Sequence, residues 1–362
     1  LRGNFSLTSD YIDCNQLMKA MNSGMQYSEQ HLATAGQSVM DEESFVTMDT
    51  HTLQDSIATA TLDTTDRVFV IPAYLDITLH TNAQKIDFKD AELTNVLGEV
   101  IIRDQSINLS NLKMDSNIGR GNMTMFYTAK DYSGASAGFD LDMEDVMVEK
   151  LIGLYPAIDT LVPMLRSFEG VVDCQVTATC KMDSTMSLEL PSLHSACYLH
   201  GENMVLLDGE TFTEISKTLM FKNKKRNVID SISVDLAIKD NKIEVFPFLV
   251  EMDRYKVAVG GTHNLDMTFN YHLSVLKSPV PFKLGIDITG NLDDFKYKIV
   301  KCRYKDLFKP AKEAELDSTR TNVRKEIRES IRNQIKETAP ELVSSLSPNH
   351  TVTPPEEETN AL

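Results

Sequence analysis

Ser231-Ile232-Ser233-Val234-Asp235-Leu236-Ala237-Ile238-Lys239-Asp240-Asn241-Lys242-Ile243-Glu244-Val245-Phe246 decides the fold. Apolar residues fall on every second position from Ile232 to Ile238, the period of a strand with one buried face. Asp240-Asn241 supplies turn chemistry, and an extended run resumes at Ile243, so the stretch reads as a β-hairpin. Pro247, which has no N–H to give to a ladder, predicts a break or an edge position just after it.

The same alternation continues downstream. Tyr255, Val257 and Val259 lead to Gly260-Gly261, and Met267, Phe269, Tyr271, Leu273 and Val275 alternate with Thr268, Asn270, His272 and Ser274. Phe282, Leu284, Ile286 and Ile288 form a further strand closed by Gly290. From Leu206 to Gly290 the chain therefore reads as one long antiparallel sheet.

The ordered set Leu207-Asp208-Gly209, Phe212, Ile215 and Leu219, the strand at 232–238, Asp240-Asn241-Lys242, Val245-Phe246-Pro247-Phe248, Val259-Gly260-Gly261, Asn264-Leu265-Asp266, Tyr271 and Ile288-Thr289-Gly290 resembles the C-terminal region of the AsmA family. These are envelope proteins of Gram-negative bacteria, related to the larger TamB-like and YhdP-like proteins. The resemblance implies a long curved β-sheet that forms a groove or a taco-like open barrel. It also implies a place on the periplasmic side of the inner membrane, held by an N-terminal anchor.

Composition narrows the classes. The chain has 362 residues, no Trp, 17 Met and a formal net charge of -17. Such a charge disfavours nucleic acid, whose phosphates need a basic face, and broad contact with anionic headgroups. No run approaches the roughly 20 apolar residues needed to span a bilayer. The sequence begins at Leu1 within a strand-like stretch (Phe5, Leu7), and we read it as a fragment with any anchor upstream. Its cysteines are Cys14, Cys174, Cys180, Cys197 and Cys302. With none in a Cys-x-x-Cys, and with Cys174 and Cys180 about 20 Å apart on one strand at roughly 3.3 Å per residue, they read as free thiols.

Taken in order, residues 1–21 read as the end of a preceding β region, and 22–66 as a flexible acidic loop with too few large apolar residues to offset its ordering entropy. Residues 67–300 read as the AsmA-like β domain, starting at Val68 to Pro72, with a helical insert at about 144–168 and a short helix at about 209–221. A charged helix follows over 301–338, with an i, i+4 stripe of Val323, Ile327, Ile331 and Ile335, and then a disordered tail over 339–362. The helix has three readings: a solvated spacer, a lid on the sheet end, or an interfacial helix. The narrow stripe favours a spacer or partner helix.

The sequence shows no nucleophile elbow, zinc-type His pair or phosphate loop in context. His263 and His272 flank one hairpin, with Asp266 between them. Asp140, Asp142, Glu144 and Asp145 have the spacing of a strand's outward parity rather than a calcium loop. The reading is therefore non-enzymatic, with no cofactor and no metal.

What remains is collective. Many strands carry an apolar row on one face, and that face must be buried against something. Either the sheet closes on itself as a sandwich or barrel, or it bends into a trough that holds acyl chains. Exposing one 16-carbon chain to water costs about 13 kcal/mol at roughly 0.8 kcal/mol per CH₂, a barrier that a continuous apolar groove removes. The floor candidates are Ile232, Val234, Leu236, Ile238, Tyr255, Val257, Val259, Met267, Phe269, Tyr271, Leu273 and Val275. The resemblance implies phospholipid acyl chains as the partner, carried between membranes, with envelope proteins as further partners and outer-membrane assembly and lipid homeostasis as the role. The other reading is a structural or protein-binding β-sandwich module of the envelope.

Overall fold

The computed structural model describes residues 1–17, 19–20, 68–88, 91–150, 168–206, 227–252, 255–264, 268–278, 283–291 and 294–343. These residues are mostly strand. They form one large mixed sheet of sixteen strands that does not close into a barrel.

The strands are β1 (Arg2–Ser9), β2 (Ile12–Asp13), β3 (Asp76–Phe88), β4 (Ala91–Arg103), β5 (Ser106–Ser116), β6 (Arg120–Asp131), β7 (Gly134–Met147), β8 (Phe168–Glu169), β9 (Val171–Asp183), β10 (His194–Leu206), β11 (Asn227–Lys239), β12 (Lys242–Met252), β13 (Tyr255–Asn264), β14 (Phe269–Lys277), β15 (Leu284–Gly290) and β16 (Phe295–Val300). Helix α1 (Pro310–Thr338) and the short α2 (Pro340–Val343) follow. Spatial order tracks chain order from β3 to β16, apart from the two-residue β8, which pairs with the far end of β10.

Local chemistry explains the hairpins. Asp240 and Asn241 both adopt positive φ, 53° and 60°, and so do Asp104 and Gln105 between β4 and β5, 51° and 60°. That is the backbone of the two-residue turns whose twist matches right-handed strands, and Asp and Asn tolerate it best among residues with a Cβ.

Several expectations need correction. The sheet is not wholly antiparallel, because β1 and β2 run parallel to β3. The 66 residues from Ser9 to Asp76 leave ample chain for such a crossover, which a tight turn could not supply. Residues 1–13 accordingly belong to this same sheet rather than to a preceding region.

Residues 144–147 are the end of strand β7, not the start of a helix. The helical insert was expected to begin at about 144, yet Val146 is fully buried as a strand residue. The remainder of the helical insert, at 151–167, the short helix expected at 209–221 and the loop at 22–66 lie outside the described residues, apart from residues 148–150, which are helical.

Residues 68–71, where the β domain was expected to start, are ordered against the sheet without being a strand. Val68 and Ile71, 2% and 1% exposed, plug one side of the sheet against Tyr127, Ala129 and Ala135. Tyr127 Oη donates to the Phe69 carbonyl at 3.0 Å.

Pro247 marks a break, one of the two outcomes expected of it, and the break falls inside β12 rather than at a strand end: pairing with β11 runs no further than Val245, and the register with β13 shifts at a β-bulge between Val245 and Phe248. The bulge absorbs the missing donor. Gly260 on β13 permits the fit, since a Cβ there would stand 2.9 Å from Pro247 Cα.

The expected C-terminal helix forms, but it starts at Pro310, a residue suited to a first helical turn, and it is not a solvated spacer. Ile331 and Ile335 are 2% and 0% exposed, packed with Ala339 and Leu342 of the segment that follows onto Ile101 and Phe126 of the sheet. Pro340 ends α1 and opens α2, so 340–343, expected in the tail, is helical as well.

Candidate functional site

Strand register decides which side chains share a wall. In the register the partners Leu112 and Met123, Met123 and Leu141, Leu141 and Val176, Val176 and Cys197, and Cys197 and Leu236 stand opposite one another. The line continues through Val245, Gly261, Tyr271, Ile288 and Tyr297. One residue from each of eleven successive strands, β5 to β16, thus makes an uninterrupted apolar row, in which the single gap is a bare glycine.

The predicted floor residues fall on this wall. Ile232, Val234, Leu236 and Ile238 of β11 share the parity of Leu236. Tyr255, Val257 and Val259 of β13 share that of Gly261, and Phe269, Tyr271, Leu273 and Val275 of β14 share that of Tyr271. Met267 lies outside the described residues. Their burial differs: Val275 is 2% exposed and Leu236 5%, whereas Val234, Tyr255, Val259, Phe269, Tyr271 and Leu273 are half-buried.

The wall has its own margins. Along the side of the hairpin turns at 104–105, 132–133 and 240–241, residues 68–71 pack on Tyr127 and Ala135, and Leu193 packs on Ala178 and Ile238. At β16 the row runs out onto Tyr297, 50% exposed, and its neighbour Ile299, 62% exposed.

Three of the free cysteines face the wall as well: Cys174 opposite Leu199, Cys180 opposite Ala137, and Cys197 opposite Leu236. Burial pushes the Cys174 thiol up to about 12 and the Cys197 thiol higher still, which keeps both protonated and inert. Tyr271 is pushed up to about 12 by burial too, and its hydroxyl bonds His263 Nδ1 at 2.9 Å.

Helix α1 lies on the opposite face. Arg324 Nη2 donates to Asp235 Oδ1 at 2.7 Å and Arg324 Nη1 to Gln175 Oε1 at 3.2 Å, while its guanidinium stands 5.3 Å from the Tyr198 ring centroid. Arg328 Nε donates to Asp140 Oδ1 at 2.8 Å, and Arg320 donates to the Pro247 carbonyl. Asp235, Asp140, Gln175 and Tyr198 all alternate with wall residues, so α1 crosses the polar side from β12 to β4, where Arg103 Nη1 meets Glu341 of α2 at 2.7 Å. The stripe of Val323, Ile327, Ile331 and Ile335 was legible in the sequence. The parallel row of Arg320, Arg324 and Arg328, also four residues apart, was missed, and its spacing was the available signal.

Burial raises the carboxyls of Asp235 and Asp140 above the ordinary range, with the neighbouring arginines offsetting this only in part. A cleft of about 270 Å³ separates α1 from the β11–β12 hairpin, lined by Ala237, Phe246, Val323 and Ile327 among others. It opens beside α1 on the polar side, with Ile238 of the wall strand at its margin.

His263 and His272 are not brought together: His263 sits on the wall side and His272 on the polar side, and Asp266 lies outside the described residues. His272 instead joins Asp287 and Ser274. Its Nε2 accepts the Arg303 N–H at 3.2 Å, which places the ring proton on Nδ1, 2.6 Å from Asp287 Oδ1. Ser274 Oγ accepts the Tyr304 N–H at 3.0 Å and stands 2.9 Å from Nε2. This order of Ser, His and Asp superficially matches a nucleophilic triad. Ser274 is completely buried, however, and both its oxygen and Nε2 are engaged by backbone N–H groups, so the three side chains fasten residues 303–304 onto β14.

Among the described residues no group of three His, Cys, Asp or Glu is placed to hold a metal, and no helix is long and apolar enough to cross a membrane. No family model, curated protein or solved structure matches the chain.

Proposed function

We propose that this is an AsmA-like envelope protein without catalytic chemistry, which binds or conducts phospholipid along the apolar wall. One observation carries the reading: the row from Leu112 to Tyr297 crosses eleven strands on the face opposite α1, so the one long helix among the described residues packs on the polar side instead. At about 4.8 Å per strand the row is about 48 Å long, roughly three times the half-thickness of a bilayer's hydrocarbon core. Acyl chains lie along such a wall with their headgroups at its rim. Exchange between sites costs little, because each CH₂ leaves one apolar contact for another. In this reading the protein works on the periplasmic side of the inner membrane and supports outer-membrane assembly and lipid homeostasis through lipid supply.

Photo-crosslinking tests it. Benzoylphenylalanine placed at 233, 234, 236 and 237, in cells with labelled phospholipid, should give lipid adducts at 234 and 236 and none at 233 and 237. Adducts without that two-residue period, or none at any position in folded protein, would overturn the reading. Protein adducts confined to 234 and 236 would favour a protein-binding module.

A further inference from the structure

The end of the sheet at β16 is chemically unlike the rest of the molecule. Between Phe295 and Lys312 stand Lys296, Lys298, Lys301, Arg303, Lys305, Lys309 and Lys312 against a single acid, Asp306, in a chain whose net charge is -17. All seven basic residues are exposed. Arg303 pairs with Asp287 and Lys309 with Asp306, whereas Lys296, Lys298 and Lys301 make no ion pair among the described residues. The strand that carries Lys296 and Lys298 also presents Tyr297 and Ile299, the most exposed apolar side chains of the wall, on its other parity.

We infer that the β16 end docks on the surface of an anionic phospholipid bilayer, where the wall meets its source or sink of lipid. The inference rests on the lipid reading above for its purpose, but not for its evidence. Lys ammonium groups next to an anionic surface each contribute attraction of about 1 kcal/mol, and Tyr and Ile beside them suit the boundary between headgroups and acyl chains. The geometry agrees: β16 ends the strand order, so a sheet standing on this end has its apolar row running perpendicular to the membrane and opening into it. Lysines on a terminal strand also discourage edge-to-edge pairing. That role alone does not explain the pattern, since β1, at the opposite end, has only Arg2 as a charged residue.

Vesicle flotation of the full chain tests the inference, with phosphatidylcholine alone and with 30% phosphatidylglycerol added. Wild type should bind the anionic vesicles, lose binding as salt is raised and ignore the neutral ones. Lys296→Glu/Lys298→Glu should weaken binding by about tenfold or more. Lys239→Glu/Lys242→Glu, the same charge change at the distant β11–β12 turn, should leave it within about twofold. Tyr297→Ser/Ile299→Ser should weaken binding at high salt more than at low salt. Equal loss in the two lysine pairs, or equal binding to neutral vesicles, overturns the proposal. So does a change in oligomeric state in the β16 variants with vesicle binding intact, which would make this edge a contact between copies of the chain. Lipid adducts at position 236 that persist in Lys296→Glu/Lys298→Glu separate a failure of docking from a failure of the wall.

Discussion

Arg324 of α1 and Asp235 of β11 meet at 2.7 Å with side chains only 18% and 10% exposed, so the helix is joined to the middle of the sheet by a nearly dry ion pair. Removing one partner leaves the other charge short of compensation. Arg324→Ala should therefore destabilise the protein by about 2–4 kcal/mol, whereas Arg324→Met with Asp235→Leu should recover only part of the loss, because Arg320 Nε, 3.6 Å from Asp235 Oδ2, then loses its carboxylate too. Urea unfolding of the two single variants and the double variant measures both.

The pH response of this junction has an unexpected sign. Burial raises Asp235 and Asp140 in the folded protein, so the folded state holds their protons more tightly than the unfolded chain does. Between their raised values and the ordinary carboxylate value near about 3.9, stability from these two groups rises as pH falls. Asp76 and Asp306 are lowered, by hydrogen bonds from Arg103 and Lys309 respectively, and their contribution is lost only as pH falls through values below the ordinary one. Amide-exchange protection of α1, corrected for intrinsic rate, should hold or increase from pH 7 to pH 5. A steady loss over that range would contradict the assignment.

The apolar half of the helix anchors it differently. Ile335 is fully buried against the patch formed by Ile101 and Phe126, and Ile335→Ala should cost about 2–4 kcal/mol. Val323, half-buried beside the cleft, should cost less than about 1.5 kcal/mol when cut to Ala. If the two losses are equal, α1 is not docked as described.

At the bulge, Gly260→Ala brings a methyl carbon to 2.9 Å from Pro247 Cα, a backbone atom that cannot swing aside. The strain should cost about 1–3 kcal/mol, and Pro247→Ala should relieve little of it because Cα remains. Thermal melts of the single and double variants decide the point.

Thiol chemistry reports on the wall. Cys174, buried, should alkylate with iodoacetamide at pH 8 at least about a hundredfold more slowly than in unfolded protein, and Cys197, half-buried with its thiol raised by desolvation, should also be slowed. Mass spectrometry after timed quenching gives each rate separately. Rapid labelling of Cys197 without unfolding would mean that the wall at Leu236 is open to water.

Much of the wall was legible because it depends on parity alone. The alternation of Ile232 to Ile238 and of Phe269 to Val275 fixes which residues share a face, and ladder register merely aligns those rows. Pro247 was read correctly as a break in the ladder, but an isolated proline does not say whether an edge or a bulge accommodates it. The parallel pairing of β1 was hidden, since strand direction is set by a connection whose path no local pattern records. The docking of α1 was half visible. Its apolar stripe looked too narrow to bury because a helix is expected to meet an apolar partner, and here the partner face offers Asp235, Asp140 and Gln175, for which arginines are the fitting complement.

A sheet bends most readily about axes parallel to its strands, and α1 with α2 is laid across that grain from β4 to β12. Those strands are splinted, and their spread is set by the length of a helix rather than by the ladder alone. Strands β13 to β16 lie beyond the splint. Strands β1 to β3 lie beyond it at the other end, so the two flanks of the sheet, and not its middle, are left free to change curvature without moving the helix.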